Sequence, residues 1–116
     1  MISTALEDLF GGRAAQAVLL HVFHYGETYG RAASMDFTVS LDSVQRQLDR
    51  FERAGVLVCK RQGRTLVYSW NPKSRLAARL RDLVALVHEG LDQQTKDEVF
   101  KERRQPRAKD KPVIRL

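Results

Sequence analysis

His21 and His24 stand three residues apart, and His88 and Asp92 stand four apart. On a helix each pair shares a face and offers two ligands to a metal ion, whereas a catalytic zinc takes three protein ligands and a structural one four. Cys59 is the one cysteine and reads as a small core residue rather than a redox sensor. No nucleophile–base constellation, phosphate-cradling loop or pair of carboxylates suited to a cleft stands in the chain, so neither enzymatic activity nor a cofactor is expected. A second chemistry is better supplied. Ser40, Asp42, Ser43, Gln45, Arg46, Gln47 and Arg50 crowd one short stretch, and Lys60, Arg61, Gly63 and Arg64 follow it. Hydroxyl, amide and guanidinium groups hydrogen-bond base edges and phosphates. Cations around a glycine turn approach a phosphate or a minor groove closely.

These side chains need elements to hold them. In the stretch from Ser40, Leu41, Val44, Leu48 and Phe51 recur at helical spacing as one buried stripe, which leaves the polar set on the opposite face. Ser40 is placed to cap that helix, and Gly55 suits the left-handed position after its end at about Ala54. Asp42–Arg46 and Asp49–Arg53 are spaced as i, i+4 ion pairs, so an ordinary solvated face is the bland alternative. Strand-like runs Val56–Arg61 and Arg64–Trp70 around Gln62-Gly63 predict a hairpin, with Leu66, Tyr68 and Trp70 on one face. Upstream, Thr4-Ala5-Leu6-Glu7 predicts a capping box and a short helix ending at Gly11-Gly12. Arg13–Tyr25 predicts a second helix closed by Gly26, and Tyr29–Phe37 a weaker helical segment. Downstream, Asn71-Pro72 predicts the cap and first residue of a helix to about Leu91, and Thr95–Glu98 a last capping box.

The bulk numbers fit one domain. The chain has 116 residues, with 20 Lys and Arg against 14 Asp and Glu, a net charge of +6. A basic balance favours a polyanionic partner. A core this small makes a partner subunit plausible. Residues 101–116 hold seven cations and two acids, so +5 of the charge lies in a segment expected to be a flexible basic arm. Residues 1–94 are expected to form the folded domain and 95–116 a short helix plus that tail. A lone cysteine suits a reducing cytosol, the first residues lack the basic start of a signal peptide, and no run spans a bilayer; a cytoplasmic protein is expected.

Helix, helix, short helix, turn, helix, basic hairpin, helix is the order of a winged helix-turn-helix, mainly α with a small β-hairpin wing. "LFGGRAAQAVLLHVF", "SLDSVQRQLDRFERAGVLV" and "RQGRTLVYSWNP" occur in the order found in the ArsR-type winged helix-turn-helix transcriptional regulators, and the chain resembles that family over roughly residues 6 to 90. The resemblance implies a dimer bound to double-stranded operator DNA, with the helix from Ser40 in the major groove. Ala33-Ser34 departs from the family's usual Leu-Ala pair, which predicts a short or loosely packed first helix of the motif. Neither metal-sensing pattern of the family is present in full. A protein-interaction module and a metal- or ligand-responsive sensor of the same fold are the alternatives.

Dimerisation is expected on the helix opened by Pro72. Leu76, Leu80, Leu83, Val84, Leu86, Val87 and Leu91 cover about 160° of its circumference, more than the ~100° that one core face takes. The surplus predicts a second face for a twofold mate.

Overall fold

The computed structural model describes residues 2–100. The expected basic arm, residues 101–116, lies outside them. Six helices and three strands follow one another in the order α1 (Ala5–Phe10), α2 (Arg13–Tyr25), β1 (Glu27–Thr28), α3 (Gly30–Phe37), α4 (Leu41–Arg53), β2 (Leu57–Gln62), β3 (Thr65–Trp70), α5 (Arg75–Glu89) and α6 (Gln93–Val99). The fold is mainly α with a small antiparallel sheet of order β1-β3-β2.

α2 is the centre. Ala15 through Val22 are all buried, which requires two polar residues, Gln16 and His21, to find partners inside. Gln16 Oε1 accepts from the backbone N and the hydroxyl of Thr4 at 2.7 and 2.6 Å, and its Nε2 donates to the Ile2 carbonyl at 3.2 Å. Thr4 caps α1 as expected, through its hydroxyl to Leu6 N. The reciprocal arm of the capping box is supplied by Gln16 and not by Glu7, which instead accepts from the Ser3 hydroxyl.

His21 joins three elements. Its Nε2 lies 2.9 Å from Asp36 Oδ2 on α3 and its Nδ1 2.8 Å from Thr28 Oγ1 on β1. A carboxylate only accepts, so Nε2 carries the proton. β1 was not expected from the sequence. It pairs Glu27 with Ser69 and Thr28 with Tyr68, which makes β3 the middle strand.

α3 is short, as its Ala33-Ser34 pair predicts, yet it is well seated: Ala33 and Phe37 are buried. It ends on Thr38 in the left-handed region (φ 55°), and the turn then delivers Ser40 to α4. The Ser40 hydroxyl accepts from Ser43 N at 3.1 Å, which is the predicted cap. Gly55 takes the left-handed position after α4 with φ 81°. Val44, Leu48 and Phe51 are buried, each worth about 1.5–3 kcal/mol. Leu41 is not, at 44% exposure. It stands on the first turn, at the rim of the core, where its Cδ1 lies over Gly30.

Two boundaries differ from expectation. α5 begins at Arg75 with Ser74 as its cap, and Asn71-Pro72 belongs to the preceding turn. Asn71 is engaged elsewhere: its amide donates to the Gly55 carbonyl at 2.9 Å and its Oδ1 accepts from Lys73 N. α6 begins at Gln93 with Asp92 as cap, not Thr95. The Asp92 carboxylate accepts from Thr95 N at 2.7 Å, and that backbone hydrogen bond holds its pKa below the usual value.

Candidate nucleic-acid interface

β2 and β3 form the hairpin, in register from Leu57↔Trp70 to Gln62↔Thr65. The turn is therefore Gly63-Arg64, one residue later than the expected Gln62-Gly63. Gly63 has φ 62°, the positive value that a two-residue type II′ loop needs at its first position. The hairpin is buried at its base and bare at its tip. Leu57 and Tyr68 are in the core, whereas every residue from Lys60 to Leu66 is exposed. Leu66 shares the Tyr68 face but stands 39% exposed, because the wing runs past the helices that cover its base.

The candidate side chains of α4 fall into two groups. Ser40, Asp42 and Arg46 are exposed, and Ser43 and Gln47 are half-buried on the same end of the helix. Asp42 lies in the first turn, where a negative charge favours the helix dipole. Neither i, i+4 ion pair of the solvated-face alternative is formed: among the described residues Arg46, Arg53, Lys60, Arg61 and Arg64 make no ion pair, and Asp49 accepts from Gln45. Gln45 and Arg50 are held by the protein itself. Gln45 Nε2 donates to the Tyr68 hydroxyl at 3.0 Å. Arg50 Nη2 donates to the Phe10 carbonyl at 3.1 Å, with its guanidinium 5.0 Å from the Phe51 ring centre. Burial pushes the Tyr68 hydroxyl up to about 12, against a lowering by the Gln45 hydrogen bond, with Cys59 beside it adding to the rise.

One cation escaped the sequence reading. A cleft of about 540 Å³ runs between the start of α2 and the start of α4, lined by Arg13, Thr38, Ser40, Ser43, Arg46 and Gln47 among others. Arg13 reaches across it to the Thr38 carbonyl at 3.3 Å. Gln47 Oε1 is buried and has no hydrogen-bond partner among the described residues. Arg13 could not be associated with α4 from spacing, because only the fold brings the two helix starts together.

The histidines serve packing. His24 Nδ1 lies 2.9 Å from His88 Nε2, and the His24 ring stacks on Phe100 at 3.9 Å and 3°. Asp92 caps α6, away from the pairing with His88 that the spacing allowed. Among the described residues no three His, Cys, Asp or Glu side chains gather as a metal-ligand set, and no helix is long and apolar enough to cross a membrane.

α5 divides its wide apolar stripe. At about 100° per residue, Leu80, Val84 and Val87 lie between about 20° and 80° from Leu76; these three, and Leu91 just past the end of the helix, pack on the core. Val84 is fully buried, so it offers no surface to a partner and leaves the expected dimerisation set. Leu76, Leu83 and Leu86 lie on the other side of the stripe and are 62%, 36% and 68% exposed. Leu9 of α1, which packs beside α5, is 63% exposed. α6 does not fold back over these leucines; it ends in Phe100, buried among His21, His24 and Phe37.

No family model and no curated protein matches this sequence. Among solved structures the chain is similar to the AntR antimony-specific transcriptional repressor, with a TM-score of 0.50 and 18% identity, covering 71% of this chain and 72% of that one. At that identity the likeness speaks for architecture. The helices, the three-stranded antiparallel sheet and its hairpin make this chain a winged helix, the fold it shares with that repressor.

Proposed function

We propose that the chain is a sequence-specific double-stranded DNA-binding regulator of transcription that acts as a homodimer. The carrying observation is the state of its cations. Arg46 on α4 and Lys60, Arg61 and Arg64 on the wing are exposed, and none makes an ion pair among the described residues. A helix with Ser43 and Arg46 on its accessible side suits base edges in the major groove. The wing cations suit phosphates or a narrow minor groove, and Gly63 lets the backbone come close. The winged fold shared with a transcriptional repressor supports this reading, and so does the resemblance to the ArsR-type regulators. Residues 101–116 serve as a nonspecific electrostatic arm. The same reading makes the protein cytoplasmic and without enzymatic activity.

The dimer rests on the outward side of α5. Leu76, Leu83 and Leu86 form an apolar surface of a kind that small monomers rarely leave in water. Pairing through it sets two copies of α4 to meet successive major grooves about 34–36 Å apart. Leu83→Glu and Leu86→Glu are each expected to convert dimer to monomer in sedimentation and to lower duplex affinity by about 10²-fold or more, the scale of lost bivalency. Selection of bound sequences from a random duplex pool tests the function itself. An enriched motif is expected; an unenriched pool would leave a nonspecific or protein-binding module.

A further inference from the structure

Gln45 has the residue type of a base-reading side chain, since a glutamine amide can grip adenine with both its oxygen and its nitrogen. Here the amide is already engaged. Both of its N–H groups have acceptors, the Tyr68 hydroxyl at 3.0 Å and Asp49 Oδ1 at 3.2 Å. Its Oε1 lies 3.0 Å from where a Cβ on Gly30 would stand, with Leu41 Cδ1 at 3.1 Å from the same point. The amide is therefore seated between the first residue of α3, its own helix and the middle strand of the sheet. Tyr68 is a firm anchor: it is 2% exposed and paired with Thr28 on one side and Cys59 on the other.

The other ties of α4 to the rest of the protein are the buried Val44, Leu48 and Phe51 and, near its far end, the Arg50 hydrogen bond to the Phe10 carbonyl. Apolar burial is non-directional, so the polar ties at Gln45 and Arg50 add the directional restraint on the rotation of α4. A turn of about 20° moves a side-chain tip by about 2 Å at the ~5–6 Å radius of a helix. Such a shift takes an Arg46 hydrogen bond outside its ~2.7–3.2 Å range.

We infer that Tyr68 and Gln45 form a positioning pair, in which the Tyr68 hydroxyl, acting through the Gln45 amide, fixes the rotation of α4 so that Arg46 and its neighbours meet the bases, while Gln45 itself touches no DNA. This rests on the reading of the chain as a DNA-binding regulator. The wing sheet thereby has two tasks, backbone contact at its tip and aiming of α4 at its base.

The test measures affinity for a selected duplex and for a random-sequence duplex, in the full chain at one salt concentration. Tyr68→Phe removes one oxygen and keeps the ring; it is expected to lower the ratio of the two affinities about tenfold and leave random-duplex affinity unchanged. Gln45→Leu is expected to do the same, and the double variant no more than either alone. A Tyr68→Phe protein that folds and keeps the wild-type ratio overturns the inference. So do losses that multiply in the double variant, because they would mean that Gln45 reads a base directly. A wild-type protein that prefers no duplex overturns the functional reading and this inference with it; wild-type preference that survives Tyr68→Phe removes the positioning pair alone.

Discussion

His21 and Arg46 are both polar residues on helices with a strong apolar side, and their surroundings could hardly differ more. The His21 ring is 3% exposed, and each nitrogen has its own partner on a different element, Thr28 on β1 and Asp36 on α3. Arg46 stands in water near the middle of α4 and makes no ion pair among the described residues. Inside a protein an unpaired polar group carries the cost of its desolvation, so a buried polar residue with all its partners is part of the framework. At the surface that cost is absent, and a cation without an internal partner remains available to an external one. Partner state, more than residue type, separates the groups that hold this fold from the groups that can bind.

Breaking the framework side should give the largest effect. His21→Leu strands the buried Thr28 hydroxyl, at about 1–3 kcal/mol, and removes the partner of the half-buried Asp36 carboxylate. A fall in melting temperature of more than about 10 °C is expected by calorimetry, with duplex affinity of the folded protein unchanged. Arg46→Ala should act the other way, costing about 1–3 kcal/mol of discrimination between the selected duplex and a single-base variant, with little change in melting temperature. Arg64→Ala should leave discrimination intact and flatten the salt dependence of binding by about two units, one for each subunit of the dimer, read from titrations at several salt concentrations. Equal loss of discrimination from the two arginine variants would mean that reading and holding are wrongly divided between α4 and the wing.

The smallest expected effect concerns pH. Tyr68 has a folded pKa of about 12 against an ordinary value of 10.0, raised chiefly by burial. Between these values the unfolded chain gives up the proton first, so it binds fewer protons and stability falls as pH rises. The contribution is fully present below 10.0 and is lost as pH climbs through about 12. Alkaline unfolding followed by circular dichroism should be less steep in Tyr68→Phe.

Local signals were legible in the sequence. Ser40 caps α4 through an atom three residues away, and Gly55 answers the backbone at its own position. Signals that cross the chain were not. Asn71 looks like a helix cap, but its amide reaches Gly55 instead, and α5 starts later, at Ser74. β1 has two residues and exists only because Ser69 and Tyr68 are beside it. The polar face of α4 was legible as a set, whereas its division was not. Gln45 and Arg50 are held by Tyr68 and Phe10, and neither partner is implied by helical spacing. The stripe on α5 was legible as too wide for one core, but only packing assigns Val84 inward and Leu86 outward.

The most direct test of the account is the binding constant for a selected and a random duplex, each followed over a range of salt concentration. Three wing cations in each of two subunits predict a slope of log K against log salt of about −5, at about −0.9 for each phosphate neutralised, and the basic arm makes it steeper still. The two lines are expected to run nearly parallel, with the selected duplex bound at least about 10³-fold more tightly throughout. Flat lines, or two lines that coincide, would contradict a protein that holds the DNA backbone with its wing and reads bases with α4.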